Sequence, residues 1–365
     1  MKVIIAGGGT GGHIFPGVAI ADAFREMESG TEIVFMGAER GLETRVVPQM
    51  GYELVTLPVA GIINMGAMRG VARSVGLMRA VLKAYRILGR LSPDLVVGVG
   101  GYASVPGVIA AALRRIPRCI LEQNVIPGKA NLFLSRFVQR IYLGFPTDKP
   151  VFPTEKTVIT GNPIRRQALI SGEKDNTAGE RKHCLLILGG SQGAAQLNDL
   201  AMEAVPALLR GNSSLDVIHQ TGAIHEERVK DHYEKEGVEV EVVPFIPDMG
   251  NYYARADLCL SRAGAMAVSE LAAAGLPAIL IPFPHAAGNH QRANSRWLET
   301  FGGAVTLEAD GANPALLLGE IEHLLNSPSL LEGMASACKR AGTVNAARRI
   351  AGEEIRRVEG LGHRN

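Results

Sequence analysis

Short apolar runs alternate along the whole chain with longer stretches in which apolar residues recur at helical spacing. The first half has such runs at Val3–Ala6, Glu32–Met36, Leu95–Val99, Cys119–Leu121 and Ile141–Leu143. The second half has them at Cys184–Leu188, Leu215–His219, Val240–Val243, Asp257–Leu260 and Ala278–Ile281. Runs this short, separated by helical segments, predict parallel strands joined by right-handed crossovers, and therefore an α/β fold.

The pattern restarts near the middle of the chain. A strand, a glycine loop and a helix follow one another in Lys2–Gly12 and again in His183–Ala194. The polar segment Ser171–Lys182 lies between them, and its lack of apolar periodicity is typical of a linker. At 365 residues the chain is also longer than one core usually supports. We predict two doubly wound Rossmann-like domains facing a cleft, with both glycine loops beyond the carboxyl ends of the strands.

Composition narrows the class of protein. Apolar residues make up 47% and charged residues 20%, which favours folded domains over disorder. The net charge of +2 is too small to indicate a nucleic-acid partner. The four cysteines are far apart and lack metal-type spacing, so we expect reduced thiols in a cytosolic protein. The first apolar run is too short for a signal peptide, and no run reaches membrane-spanning length.

The first glycine loop, Gly7–His13, follows a strand and opens a helix. Glycines there let the backbone approach a phosphate, and the amides of a helix start favour negative charge. The pattern of dinucleotide-binding folds is satisfied through Gly7, Gly9 and Gly12. A nicotinamide site, however, requires an acidic residue at the end of the second strand, where this chain has Gly37. The nicotinamide hypothesis is therefore disfavoured.

The second glycine loop, Gly189–Ala194, repeats this arrangement and adds the hydroxyl of Ser191, which can bind a phosphate oxygen. For either loop alone, a tight turn without a ligand remains the alternative. Two such loops at the same point of two matched domains favour a ligand.

Six motifs occur in order along the chain: GGGTGGH at the start, GGYAS at 100–104, EQN at 122–124, GNPIR at 161–165, GGSQGA at 189–194 and a long segment at 262–284. Together they resemble the MurG family of UDP-N-acetylglucosamine transferases, within glycosyltransferase family 28, over nearly the whole chain. The resemblance implies the GT-B fold and inverting transfer of N-acetylglucosamine from UDP-N-acetylglucosamine to lipid I (undecaprenyl-pyrophosphoryl-N-acetylmuramoyl-pentapeptide), which forms lipid II. It implies no cofactor and no metal ion.

The resemblance also implies how the chain is divided and where it works. It assigns an N-terminal acceptor- and membrane-binding domain to 1–162 and a C-terminal UDP-sugar-binding domain to 163–343. The residues alone allow the last helix, at about 344–362, to pack on either domain, and the resemblance places it back on the first. The expected location is peripheral, on the cytoplasmic face of the inner membrane, with an anionic membrane surface and proteins of cell-wall synthesis as further partners.

The family's donor site carries over by position. The matching residues are Thr10, Gly11, Gly12, Asn124, Arg165, Ser191, Ile246, Ala263, Gly264, Ala265, Met266, Ala267, Val268, Glu270 and Gln291. Arg165 would supply a fixed positive charge to the diphosphate, and Ile246 would lie on one face of the uracil. Glu270 would accept hydrogen bonds from the ribose hydroxyls. Ala263 stands where the family often has serine, which puts a side-chain contact there in doubt.

On the acceptor side the matching residues are Gly9, Tyr102 and Ser104, although Tyr102 could equally serve in packing. For the base that takes the acceptor proton, His13 is the first candidate, because an unshifted imidazole titrates near neutrality. Its alternative role is to cap the helix or hold the acceptor diphosphate. Glu122 is the second candidate, and its alternative role is to orient Asn124.

One apolar stretch, Ile62–Leu91, contains no acidic residue and has regularly placed cations: Arg69, Arg73, Arg79, Lys83, Arg86 and Arg90. An apolar helical face flanked by arginines predicts binding to an anionic bilayer surface. The alternative is a solvated helix whose arginines extend over the core.

Two other functions are compatible with parts of the pattern. One is a different GT-B enzyme, such as a diacylglycerol glycosyltransferase or a UDP-sugar epimerase, and the EQN and GGYAS segments argue against it. The other is a non-enzymatic sugar-nucleotide sensor, which could dispense with the GGGTGGH loop that is intact here.

Overall fold

The computed structural model describes residues 1–59, 70–147, 150–165, 182–190, 194–212 and 214–362. The chain forms two compact units. Unit 1 comprises Met1–Arg165 and Asn345–Asn365, and unit 2 comprises Arg166–Val344. The predicted linker Ser171–Lys182 lies outside the described residues except for Lys182, and so does Ser191.

Unit 1 is built on a parallel sheet with the strand order β3-β2-β1-β4-β5-β6-β7. The strands are β1 Lys2–Ala6, β2 Glu32–Ala38, β3 Glu53–Leu57, β4 Leu95–Gly98, β5 Arg118–Glu122, β6 Arg140–Leu143 and β7 Thr157–Ile159. Strands are added to one side of β1 as far as β3 and to its other side from β4 onwards, so the topological switch point lies between β1 and β4. In doubly wound sheets ligands bind at that point, beyond the carboxyl ends of the strands.

Helices cover both faces of this sheet, which is why its central strands carry consecutive apolar residues rather than alternating ones. They are α1 Gly11–Met27, α2 Glu43–Gln49, α3 Gly70–Leu91, α4 Ser104–Leu113 and α5 Lys129–Leu134. Val3 and Ile5 pack on the face that also holds Phe24 of α1, whereas Ile4 packs on the face that holds Ala84 of α3. Successive residues of β1 thus enter two different cores.

The last helix of the chain, α13 (Ala346–Gly362), belongs to unit 1. Its Ile350 and Ala351 are buried in the same cluster as the apolar residues of α1. The Tyr142 hydroxyl of β6 donates to the buried Glu354 carboxylate at 2.8 Å, and Arg357 also binds that carboxylate. The helix is therefore part of the core of unit 1.

Unit 2 repeats the architecture, with a parallel sheet in the order β10-β9-β8-β11-β12-β13. Its strands are β8 His183–Leu188, β9 Leu215–Gln220, β10 Glu241–Val243, β11 Leu258–Ser261, β12 Ala278–Leu280 and β13 Ala304–Thr306. Its helices are α6 Ala195–Gly211, α7 Glu226–Lys235, α8 Met249–Arg255, α9 Ala265–Ala274, α10 His290–Thr300, α11 Pro314–Leu325 and α12 Pro328–Ala341.

Three strands were missed by the apolar-run pattern: β3, β7 and β13. All three are edge strands. Most of their residues are half-buried or exposed, so polar residues are tolerated there and no continuous apolar run marks them. The ten predicted strands all form.

Within the described residues, none of the helices combines the length and the apolar character needed to cross a bilayer.

Candidate functional site

The first glycine loop connects β1 to α1 and bends at Gly9, whose φ of +93° lies in the region that favours glycine. Helix α1 then starts at Gly11 with Thr10 as its N-cap residue, and no side chain caps it. Gly9, Thr10 and Gly12 are exposed. The loop therefore presents backbone and the start of a helix at its surface, which is an arrangement that favours an anion or a polar ligand.

His13 lies in the first turn of α1, with its Nδ1 atom 3.1 Å from the Thr10 hydroxyl oxygen. Its ring packs directly on the GGYAS segment, because a Cβ added to Gly100 would lie 2.6 Å from the His13 Cδ2 atom. Gly101 comes equally close to the first loop, since its Cβ would lie 2.6 Å from the Gly8 carbonyl oxygen. The two glycines of GGYAS therefore permit the contact between these loops.

Two other residues of GGYAS, Tyr102 and Ser104, have different positions. Tyr102 is 52% exposed, so its ring is available at the surface of unit 1. Ser104 is fully buried, and its hydroxyl donates to the Gly101 carbonyl at 2.8 Å. Ser104 therefore holds the loop from beneath and does not present its hydroxyl at the surface, as a contact with the acceptor would require.

Glu122, at the end of β5, is buried, and each of its carboxylate oxygens accepts two hydrogen bonds. Oε1 accepts from the backbone N–H and the side-chain amide of Asn124, at 2.9 and 3.3 Å. Oε2 accepts from the Gly128 N–H at 2.9 Å and from the Asn131 side chain at 2.8 Å. This arrangement favours the orienting role of Glu122 over the role of base, because four donors already surround its lone pairs.

Arg165 lies beside the start of α1. Its guanidinium carbon is 4.1 Å from the centroid of the Phe15 ring, and the same ring covers Gly11. The Nε atom of Arg165 is buried and has no hydrogen-bond partner among the described residues. A fixed positive charge is thus held near the first glycine loop by stacking on an aromatic face.

The second glycine loop is held by a buried glutamine of β9. Gly190 has a φ of +75°, and its N–H donates to the Gln220 side-chain oxygen at 2.9 Å. The Gln220 amide group donates back to the Gly190 carbonyl at 3.1 Å and to the Pro244 carbonyl at 2.9 Å. Ser191, the predicted phosphate ligand, directly follows Gly190 but lies outside the described residues.

Beneath the same loop, His219 is fully buried between Tyr233 and Asn198, at 3.0 and 3.1 Å from their hydrogen-bonding oxygens. Burial lowers the pKa of His219 to about 3, so the ring is neutral at physiological pH. A neutral, buried and fully bonded ring is typical of a structural histidine.

The segment 263–268 forms the turn into α9, which begins at Ala265 with Gly264 as N-cap and with no side-chain cap. Ala263 and Val268 are fully buried, so neither side chain can reach a ligand. The segment can therefore contribute chiefly through the backbone N–H groups at the helix start.

Two polar residues accompany this helix start. Glu270, half-buried on α9, accepts a hydrogen bond from the Tyr253 hydroxyl at 2.9 Å. Gln291, on α10, accepts one from the Phe283 N–H at 2.9 Å. Ile246, whose side chain was expected to lie on one face of the uracil, is only 3% exposed.

The described part of the predicted membrane segment is α3. Val75, Met78, Leu82 and Tyr85 are exposed at helical spacing, and Met78 is 63% exposed. Arg79, Lys83, Arg86 and Arg90 are exposed beside them. Residues 60–69 and the side chains of 70–74, which include Arg69 and Arg73, lie outside the described residues. The outer face of α3 is thus apolar and basic together.

Sequence reasoning missed two residues that shape the glycine loops, Gln220 and Glu43. Neither lies in a recognised motif, and both act on loops distant in sequence. A signal for Glu43 was present in the glycines near it, Gly37 and Gly41, which leave room for a buried side chain. Among the described residues, no group of three or more His, Cys, Asp or Glu side chains could hold a metal ion.

Comparison with known proteins gives matches over both units. The model of the glycosyltransferase family 28 N-terminal domain matches residues 3–143, and that of the C-terminal domain matches residues 184–350. The UDP-N-acetylglucosamine–N-acetylmuramyl-(pentapeptide) pyrophosphoryl-undecaprenol N-acetylglucosamine transferase of Anaeromyxobacter sp. (strain Fw109-5) is 43% identical over 96% of this chain and 92% of its own length. The protein of the same name from Syntrophotalea carbinolica is 41% identical over 96% of this chain and 97% of its own.

The structural comparison agrees with the sequence comparison. The crystal structure of Acinetobacter baumannii MurG superposes with a TM-score of 0.77 at 30% identity, covering 96% of this chain and 98% of that one. The predicted GT-B fold is confirmed.

Proposed function

This chain belongs to glycosyltransferase family 28, and we propose that it transfers N-acetylglucosamine from UDP-N-acetylglucosamine to lipid I. The product is lipid II, a precursor of peptidoglycan, and the anomeric carbon is inverted in the transfer. The observation that carries this proposal is the 43% identity, over 96% of the chain, to a relative named for this reaction. The geometry of the two glycine loops supports it independently.

Unit 2 holds the donor in this proposal. The N–H groups at the start of α9 and the loop at Gly190–Ser191 bind the diphosphate, because helix starts and glycine loops favour negative charge. Glu270 accepts hydrogen bonds from the ribose hydroxyls, which favours ribose over deoxyribose. Gln291 contacts the sugar, and the backbone around Ile246 reads the edge of the base, since its side chain is buried.

Unit 1 holds the acceptor and carries the base. The acceptor hydroxyl attacks the anomeric carbon, its proton goes to a base, and the bond from that carbon to UDP breaks. His13 is the base: when Nδ1–H is donated to the Thr10 hydroxyl, Nε2 is the basic nitrogen. Exposed Tyr102, on the loop that packs against His13, lines the acceptor side.

Departure of UDP requires stabilisation of the negative charge that develops on the diphosphate. Arg165 supplies a fixed guanidinium, and its buried Nε–H has no partner among the described residues. The helix start at Gly264 supplies oriented N–H groups. Positive charge and oriented N–H groups are the kinds of stabilisation that a divalent cation supplies in other transferases.

The acceptor's polyprenyl chain places the reaction at a membrane surface. The exposed apolar residues of α3, flanked by arginines and a lysine, suit peripheral binding to an anionic bilayer, which we place at the cytoplasmic face. Such binding orients unit 1 and raises the local concentration of acceptor. Proteins of cell-wall synthesis would be its neighbours there.

A single-turnover assay with UDP-N-acetylglucosamine and a lipid I analogue tests the proposal. We expect stoichiometric release of UDP and a disaccharide with a β-linkage, in the presence or absence of excess chelator. UDP-glucose serves as the matched control donor and should react more slowly. Folded protein that binds UDP but transfers no sugar to the analogue would refute the acceptor assignment. Loss of transfer in chelator, with recovery in magnesium, would refute the metal-free mechanism.

A further inference from the structure

We propose that Glu43 is a positioning residue for the transfer reaction, which holds the first glycine loop, and through it His13, in the reactive geometry. The inference rests on the proposed function, because it assigns His13 a role in transfer. Glu43 touches neither substrate in this proposal. It acts from beneath the loop.

The carboxylate of Glu43 joins three segments of unit 1. The side chain is fully buried at the start of α2. Its Oε2 accepts a hydrogen bond from the Gly9 N–H at 2.9 Å, and its Oε1 accepts one from the Ala38 N–H at 2.9 Å. A carboxylate is an acceptor at both oxygens, so it matches two backbone donors at once.

The space around this carboxylate is made by glycines. A Cβ on Gly8 or on Gly41 would overlap the Glu43 carboxylate, and a Cβ on Gly37 would lie 2.8 Å from its Cγ atom. These three glycines come from the first loop, the end of β2 and the turn before α2. The cavity is therefore shaped for this side chain, and an alanine at any of the three positions would displace it.

The hydrogen bond between Glu43 and Gly9 affects His13 because only a few residues separate Gly9 from His13. Gly9 has a φ of +93° and precedes Thr10, whose hydroxyl lies 3.1 Å from the His13 Nδ1 atom. On the opposite side, the His13 ring rests against Gly100. The loop is thus bonded to Glu43 at Gly9 and packed against GGYAS at His13, so loss of the bond to Gly9 removes one of the contacts that fix the loop.

The hydrogen bond from the Gly9 N–H to Glu43 distinguishes this loop from the glycine loops of dinucleotide-binding folds. There, the glycine-rich backbone approaches a pyrophosphate. Here the Gly9 N–H is donated inward to Glu43 and is not offered to a phosphate. The loop acts at this position as a support for the residues that follow it.

Three variants separate positioning from general stability. Glu43→Gln keeps the shape but offers an amide donor to one of two N–H groups, and Glu43→Asp is too short to reach both. Glu354→Gln is the matched control, because Glu354 is also a fully buried carboxylate of unit 1 and bonds to Tyr142 rather than to the loop. All three are expected to lower the Tm.

We expect kcat to fall roughly 10²-fold in Glu43→Gln, since a displacement of about 1 Å in a catalytic group can cost that much. Glu43→Asp should retain an intermediate kcat. UDP affinity should change far less than kcat in both, because the proposed contacts to UDP at the start of α9 and at Glu270 lie in unit 2 and are untouched. Glu354→Gln should keep the wild-type kcat per folded molecule.

Amide hydrogen exchange supplies a readout that does not depend on activity. Deuterium uptake in the peptide 7–15 should rise in Glu43→Gln and stay at the wild-type level in Glu354→Gln. The proposal is overturned if folded Glu43→Gln keeps the wild-type kcat, or if its kcat falls no more than that of Glu354→Gln. If wild-type protein transfers no sugar, the proposed function fails, while the exchange experiment still reports whether Glu43 holds the loop.

Discussion

Gly190 and Gln220 are joined by a reciprocal pair of hydrogen bonds, at 2.9 Å from the Gly190 N–H to Oε1 and at 3.1 Å from Nε2 to the Gly190 carbonyl. The glutamine side chain thus replaces the backbone partner that a strand would supply to a residue at this position. Since Ser191 follows directly, the pair fixes the start of the segment proposed to bind the donor diphosphate.

Replacing this glutamine should weaken donor binding. Gln220→Leu removes both hydrogen bonds to Gly190, and a hydrogen bond contributes about 0.5–1.5 kcal/mol net. We expect calorimetry to show UDP binding weakened by about tenfold. Gln139→Leu is the control, because Gln139 also bonds a backbone N–H, that of Arg118, but lies in unit 1. Equal UDP affinity in folded Gln220→Leu and wild type would contradict the role of the pair.

The ribose contact is tested at Glu270. Glu270→Ala should weaken UDP binding by about 1.5–3 kcal/mol, because two hydroxyls lose a charged acceptor. Glu241→Ala is a matched control in the same unit, since Glu241 also accepts from a tyrosine hydroxyl, that of Tyr252, at 3.0 Å. Calorimetry should show weaker UDP binding in Glu270→Ala than in Glu241→Ala. Unchanged UDP affinity in folded Glu270→Ala would contradict the assignment of Glu270 to the ribose.

The base assignment predicts a loss of turnover without a loss of donor affinity. His13→Ala should lower kcat by about 10²–10⁴-fold, the usual contribution of general-base catalysis. UDP affinity should be unchanged. His225→Ala, at the start of α7 in unit 2, controls for the loss of an imidazole. A decrease in kcat smaller than tenfold would indicate that His13 has a structural role and is not the base.

Stability should depend on pH through His219. Its pKa is about 3 in the folded protein, below the value of 6.5 for an unperturbed imidazole. As the pH falls below about 6.5, the unfolded chain binds a proton that the folded protein does not, so the free energy of unfolding decreases. The stabilisation is complete above that pH and is lost progressively toward pH 3.

Thermal unfolding of wild type and His219→Gln between pH 7.5 and 5 measures this effect. Wild type should have the higher Tm at pH 7.5, and the difference should shrink at pH 5. A Tm difference that stays constant over this range would argue against His219 as the titrating group.

The membrane assignment predicts binding that depends on both charge and salt. Each arginine near an anionic surface contributes about 1 kcal/mol, and salt screens that attraction over about 10 Å. Wild type should sediment with anionic vesicles and be partly released by high salt. Replacing Arg73, Arg79, Lys83 and Arg86 together with glutamine should reduce sedimentation and slow turnover of a long-chain acceptor.

Turnover of a short, water-soluble acceptor by that variant should be unchanged, which serves as its internal control. Met78→Ser combined with Leu82→Ser should weaken vesicle binding through the apolar contribution alone, since both side chains are exposed. If the quadruple variant binds vesicles as well as wild type does, α3 is a solvated helix.

The sequence was sufficient for the central strands of both sheets because helices bury them on both faces, and runs of consecutive apolar residues therefore mark them. It was insufficient for β3, β7 and β13, since an edge strand needs no such run. For the site, local motifs located the glycine loops and His13. They could not reveal the burial of Ser104 and Ile246 or the bond from Glu43 to Gly9, which depend on segments distant in sequence.

The position of α13 has a consequence for how the protein is made. Ile350, Ala351 and Glu354 complete the core of the first unit, yet the ribosome adds them only after the whole of the second unit. Domains generally fold in the order of synthesis, at about 5–20 residues per second. Here the apolar face of α1 stays uncovered until α13 has been synthesised, so the first unit cannot complete its core before then. The second unit is continuous in sequence and can therefore finish folding first. A premature stop codon near the 3′ end of the gene would therefore damage the half of the protein encoded at its 5′ end.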